Sequence, residues 1–147
     1  MTNLNLPKYS FRIKNKENKL YIFDRIRKKD LILTDEEWVR QNFVSFLHED
    51  KKYPLSLIAI EKQCLVNELI KRTDILVFDK TGAPHIIVEC KAMHVKINQD
   101  VFDQIARYNM TLKAKYLVVT NGLDHYYCQM NHKLQQYDFL KELPNYS

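Results

Sequence analysis

Three residues carry the chemistry that this 147-residue sequence offers: Asp74, Glu89 and Lys91. Glu89 and Lys91 stand two apart in the run Ile86-Ile87-Val88-Glu89-Cys90-Lys91-Ala92. On a β-strand that spacing puts Ile87, Glu89 and Lys91 on one face and Ile86, Val88 and Cys90 on the other. A carboxylate and an ammonium set among apolar neighbours are costly to bury unless something compensates, and a divalent cation would do so. Asp74 heads a second apolar run, Ile75-Leu76-Val77-Phe78, and the turn residues Lys80-Thr81-Gly82-Ala83-Pro84 join the two runs as a hairpin. With a short loop, paired residues sum to about 164, so Asp74 is expected opposite Cys90, between Glu89 and Lys91.

Such a cluster suits phosphodiester hydrolysis. Carboxylate oxygens are the ligands that Mg²⁺ prefers, and a bound metal polarises phosphate and lowers the pKa of its water. A lysine beside it can orient that water and offset charge in the transition state. The backbone carbonyl of Cys90 is a further candidate ligand. Taken alone, Glu89-x-Lys91 is more often an ion-pair ladder on an exposed strand. Asp74 in register and the apolar flanks turn the balance toward a site.

The elements that must position these residues follow from pattern. Ser10–Lys14 and Lys19–Asp24 alternate apolar and polar residues around Asn15-Lys16-Glu17-Asn18, which predicts an N-terminal β-hairpin. The cluster Arg25, Arg27, Lys28, Lys29 reads as a solvated loop. Thr34-Asp35-Glu36-Glu37 has the form of a capping box and starts a helix to about His48, with Trp38, Val39, Phe43, Phe46 and Leu47 at helical spacing. Strands are expected at Leu55–Glu61, Thr73–Asp79 and His85–Lys91, with Leu65–Ile70 ambiguous. A helix follows over Asn98–Lys113, with Val101, Ile105, Tyr108 and Leu112 on one face. The run Tyr116–Thr120 predicts a buried central strand, His125–Met130 a last strand, and the tail from Lys133 a short helix. Helix, three strands, helix and strand in one domain imply an α/β sandwich around a mixed sheet. The division expected is a hairpin extension over residues 1–33 and a single domain over 34–147.

The pieces Glu36-Glu37-Trp38-Val39-Arg40-Gln41, Lys71-Arg72-Thr73-Asp74-Ile75-Leu76-Val77, Val88-Glu89-Cys90-Lys91-Ala92 and Asp103-Gln104-Ile105-Ala106-Arg107-Tyr108-Asn109 occur in that order. Together they resemble the PD-(D/E)XK nucleases, and in particular the N-terminal nuclease domain of type I restriction enzyme R subunits, over roughly Thr34 to Gly122. The resemblance implies a restriction-endonuclease-like fold with core order α-β-β-β-α-β. It implies Asp74 and Glu89 as metal ligands, Lys91 as catalytic lysine, and Glu37 as an acidic residue that can complete the metal shell. It also matches Gln104 and Tyr108 to a Q-x-x-x-Y element, which would face the metal and the DNA backbone. Glu61 is a weaker acidic candidate; Lys71 and Arg72, just before Asp74, could contact phosphate, although ordinary surface charge is the commoner reading of such residues. Thr73 replaces the motif's proline.

Composition bounds the alternatives. Two isolated glycines, Gly82 and Gly122, exclude a nucleotide-binding glycine loop, so a DNA-translocating motor is expected on a separate partner. Cys64, Cys90 and Cys128 form no C-x-x-C pair, and the five histidines no ligand spacing, which argues against zinc; only His94, just past Lys91, stands near the cluster. Sparse cysteines and no apolar leader or membrane-length run fit a soluble cytoplasmic protein. A charge of +5 suits binding to nucleic acid. The expectation is a Mg²⁺-dependent deoxyribonuclease, with Mn²⁺ as substitute and DNA as partner, working as a homodimer or with a separate motor or specificity subunit. The alternative is a nuclease fold that binds DNA or a partner protein without cutting.

Overall fold

The computed structural model describes the backbone of all residues except 67–68, and the side chains of all except 62–71. Cys64 and Lys71 therefore fall outside the described side chains.

The N-terminal hairpin gains a third strand. β1 (Ile13–Lys16), β2 (Lys19–Asp24) and β3 (Lys29–Ile32) form an antiparallel sheet. β3 sits where a loop is expected, because Lys29-Asp30-Leu31-Ile32 shows too few residues to reveal an alternation. Glu17 and Asn18, both at positive φ, make the two-residue β1–β2 turn.

α1 (Asp35–Ser45) starts at Thr34, whose hydroxyl accepts the Glu37 N–H at 3.1 Å, and continues as a π-helical turn over Phe46–Asp50. The capping box is only half made, since the Glu37 carboxylate turns to arginines instead. Leu55–Leu57 is a 3₁₀ turn rather than the start of a strand. β4 (Ile58–Val66), β5 (Leu69–Phe78) and β6 (Pro84–Cys90) then run antiparallel. The ambiguous stretch Leu65–Ile70 belongs to the ends of β4 and β5, apart from residues 67–68, which are not described.

α2 (Gln99–Asn109), capped by Asn98, leads into β7 (Tyr116–Thr120), which pairs parallel to β6. β8 (His125–Asn131) and β9 (Gln136–Leu140) complete a mixed sheet in the order β4-β5-β6-β7-β8-β9. β9 replaces the helix expected in the tail. Its polar outer positions hide the period-2 pattern, and pairing to β8 decides the conformation.

The two helices pack on opposite faces. Val39, Phe43, Val44 and Leu47 of the first helical stretch bury against Ile75, Val77, Ile86 and Val88. Phe102 and Ala106 bury against Leu76, Ile87, Leu117 and Val119. The buried stripe of α2 is thus Phe102, Ala106 and Asn109, one residue round from the expected Val101, Ile105 and Tyr108, while the expected Leu112 is buried in the 3₁₀ turn that follows. β7 is buried at every residue, as an interior strand covered on both sides requires. Gly122, at φ +89°, lets Leu4 lie across the turn after β7, since a Cβ there would stand 2.8 Å from Leu4 Cδ2. Among the described residues no helix is long and apolar enough to cross a membrane.

Candidate active site

β5 and β6 deliver the three chemical residues to one place. Ile75 pairs with Val88, Leu76 with Ile87 and Val77 with Ile86, so partners sum to 163 rather than the expected 164. At the loop end Phe78 meets Pro84, a sum of 162, and the irregularity between Val77 and Phe78 raises the sum to 163, one short of the expected value. Asp74 therefore comes level with Glu89 rather than Cys90. Its carboxylate nonetheless reaches Cys90, accepting that residue's N–H at 2.7 Å. The ladder is broken at this level on both sides of β5. Ile60 pairs with Ile75 and Lys62 with Thr73, while Glu61 between them sits at φ 50° and joins no pair.

The expected faces hold. Ile86, Val88 and Cys90 pack toward α1, and Ile87 packs toward α2. Glu89 is half-buried on the α2 side, and its carboxyl is pushed up to about 8, first by burial and next by the Asp74 charge, with which it is in hydrogen-bond reach. Lys91 acts in the opposite sense on both Glu89 and Glu36. Glu36 on α1 is raised by burial and then by Asp74. Negative charge thus outweighs positive charge at Asp74 and Glu89, in a setting with little water to screen it.

The other expected residues are distributed around this pair. Glu37 is only 4% exposed. Its carboxylate is held by the guanidinium of Arg40, by Arg27 at 3.4 Å and by the Gln41 amide at 3.4 Å. It is Glu36, one residue earlier, that feels Asp74 and Lys91. Glu61 pairs with Arg40 at 2.9 Å and Arg27 at 3.1 Å; burial works against its charge, but the two guanidiniums hold its carboxyl below the usual range. Arg72 is exposed two residues before Asp74. Gln104 and Tyr108 share the solvent side of α2, with Tyr108 47% exposed. The Cys90 thiol points into the core, and His94 is exposed.

Comparison with known proteins decides the family. The family model for the type I restriction enzyme R protein N terminus (HSDR_N) matches residues 35–144. The chain belongs to this family. A search of curated proteins finds no match. Among solved structures, a fragment assigned as an HsdR subunit of a type I restriction enzyme from Vibrio vulnificus YJ016 has a TM-score of 0.54 at 18% identity. That match covers 77% of this chain and 24% of the longer one, and at this identity it speaks for the fold.

One site residue was not singled out from the sequence. Asn109, 1% exposed at the end of α2, donates its amide to Glu89 Oε1 at 3.4 Å and to the Ile105 carbonyl at 2.9 Å. The second contact fixes which way the amide points, because a flipped Asn109 would set oxygen against oxygen. The side chain consequently offers Glu89 a donor, and its own Oδ1 is buried with no hydrogen-bond partner among the described residues. The signal was available: Asn109 stands seven after Phe102 and three after Ala106, on the apolar stripe of the helix.

Among the described residues, no three His, Cys, Asp or Glu side chains form a ready-made metal cage. The donor set still fits Mg²⁺, which keeps several waters and takes one or two protein carboxylates alongside phosphate oxygens.

Proposed function

We propose that this protein is a metal-dependent DNA nuclease, the cutting domain of a restriction-endonuclease-like fold. The observation that carries this reading is the convergence of Asp74, Glu89 and Lys91 at the broken end of the β5–β6 ladder. There Glu89 is driven to about 8 by burial and by Asp74. A site that gathers like charges where water is scarce costs stability, and such sites are where function is found.

Asp74 and Glu89 would hold Mg²⁺ or Mn²⁺. The ion, when bound, would polarise the scissile phosphate and make its water more acidic. The protein's own groups do the rest. The Cys90 N–H fixes one oxygen of Asp74, and the Asn109 amide fixes one of Glu89. Lys91 acts electrostatically on both Glu89 and Glu36, and its ammonium would orient the attacking water and neutralise charge gathering on phosphate. Family membership supports DNA as the substrate. It also suggests that a motor or specificity subunit works with this domain.

Incubation of the protein with supercoiled plasmid and Mg²⁺ or Mn²⁺, beside Lys91→Ala, tests this function. Nicking by wild type and a loss of at least about a hundredfold in Lys91→Ala are expected. Equal nicking by both would assign the activity to a contaminant, and intact plasmid with tight DNA binding would favour a module that grips without cutting.

A further inference from the structure

The net positive charge of the chain comes from its first fifth. Residues 1–30 hold nine Lys or Arg against three Asp or Glu, while residues 31–147 hold fourteen against fifteen. The family match begins at residue 35, so the basic part is an addition in front of the matched domain, and that domain has no net positive charge of its own. Counterion release scales with the cations brought to a polyanion, and a nearly neutral domain gains little from it.

The fold arranges this charge. β1 is exposed at every residue and pairs with β2 at the edge of the small sheet, so it adds little to any core. Register puts Lys14 opposite Tyr21 and Lys16 opposite Lys19 on the outer face of the small sheet. Two contacts confirm that face: Arg12 lies over the Phe23 ring at 4.3 Å, and Lys14 meets Asp30 at 2.7 Å. Ile22 and Asp24 turn the other way and are buried. Lys16 and Lys19 on that face, Lys28 in the β2–β3 turn and Lys29, which pairs with Asp24 at the start of β3 and so belongs to the opposite face, are exposed and form no ion pair among the described residues. A two-residue turn at Glu17-Asn18 joins β1 to β2.

The outer face also leads to the candidate active site. Tyr21, Asp30 and Ile32 line one side of an open cleft whose other side is Glu37, Arg40 and Glu61. Arg40 and Glu61 in turn neighbour Glu36, which stands in the field of Asp74 and Lys91.

We propose that the N-terminal three-stranded sheet is the surface by which this protein grips the phosphate backbone of duplex DNA, delivering it across the Tyr21–Arg40 cleft to the site. The choice of DNA among polyanions rests on the nuclease reading; the existence of the gripping surface does not.

Binding of full-length protein to a fluorescent 20-base-pair duplex, followed by anisotropy in EDTA over a range of salt, separates the two, because no cleavage is involved. One variant carries Lys16→Gln, Lys19→Gln, Lys28→Gln and Lys29→Gln. A control removes the same charge elsewhere, with Lys113→Gln, Lys115→Gln, Lys133→Gln and Lys141→Gln. The first set is expected to weaken binding at least about tenfold at moderate salt and to reduce the log–log salt slope by about 3. The control set is expected to shift both far less. Equal losses in the two sets, or unchanged binding with new self-association of the first set, would overturn the proposal. The second of these outcomes would mean that the lysines only guard an exposed strand edge. Tighter binding to an RNA duplex of the same length would overturn the DNA assignment. Hairpin-dependent binding by a protein that never nicks plasmid would uphold the proposal while the nuclease reading fails.

Discussion

The Asp74 carboxylate accepts the backbone N–H of Cys90 at 2.7 Å, replacing a ladder bond at the level where β5 and β6 stop pairing. The same carboxylate repels Glu89, whose carboxyl is pushed up to about 8 by burial first and by Asp74 next. Asp74 therefore holds the strands locally and destabilises them electrostatically.

Asp74→Asn should separate the two effects. An asparagine oxygen can still accept from Cys90, while the charge beside Glu89 is gone. Metal-free Asp74→Asn is expected to melt at or above the wild-type temperature, stabilised by up to about 1 kcal/mol, and Asp74→Ala to fall below Asp74→Asn by about 1–2 kcal/mol for the lost acceptor. Denaturant unfolding in EDTA measures both. Asp74→Asn less stable than Asp74→Ala would contradict the account.

Asn109→Leu removes the donor to Glu89 together with the buried, unpartnered Oδ1. Partners that orient a metal ligand contribute roughly tenfold or more to affinity. Mn²⁺ affinity measured by calorimetry should drop by about that factor while the melting temperature changes little. A large loss of stability with unchanged Mn²⁺ affinity would reduce Asn109 to a helix-end packing residue.

Glu37 belongs to an ion-pair group with Arg27 and Arg40 and is 4% exposed. Glu37→Gln leaves a buried guanidinium short of its anion, at a cost of roughly 2–3 kcal/mol. That corresponds to a fall in Tm of about 5–10 °C for a chain of this size. Mn²⁺ affinity in the folded variant is expected to stay within about twofold of wild type. A tenfold loss of affinity with normal stability would place Glu37 in the metal shell instead.

His125 makes stability depend on pH. Its Nε2 lies 2.8 Å from the Asn5 carbonyl, which can only accept, so Nε2 carries the proton. Its Nδ1 lies 2.7 Å from Thr120 Oγ1; with the proton of the neutral ring on Nε2, Nδ1 accepts and the Thr120 hydroxyl, which itself accepts the Gly122 N–H at 2.9 Å, donates to it. The neutral ring fits both partners, and burial lowers the His125 pKa. Below about 6.5 the unfolded chain takes up a proton that the folded chain refuses, so this stability is complete above that pH and is lost as pH falls toward the folded value. His85, also lowered by burial, acts with the same sign. Tm should fall between pH 6.5 and 5, and His125→Gln should flatten the slope. An unchanged slope in that variant would contradict the assignment.

Strong periodic signals led directly to the fold. The Thr34 cap, the run Tyr116–Thr120 and the hairpin around Gly82 all have local causes. Elements fixed by pairing were harder to read: β3 and β9 are short, polar on one face, and stabilised by neighbours distant from any local pattern. Asp74, Glu89 and Lys91 stood out because charge is conspicuous in an apolar strand. The one-residue difference in register did not, since the loop closes on Phe78 and Pro84 and the irregularity at Val77–Phe78 makes up only part of the offset, which hairpin arithmetic does not see. Choosing Val101, Ile105 and Tyr108 as the buried stripe of α2 turned the helix by one residue and moved Asn109 out of view.

The central claim is that Asp74 and Glu89 together make a divalent-cation site. Calorimetric titration of metal-free protein with Mn²⁺, beside Asp74→Asn and Glu89→Gln, tests it most directly. The account predicts saturable binding by wild type and at least about tenfold weaker binding in each variant, with both variants folded. Wild-type affinity in either folded variant, or no binding by wild type, would contradict it.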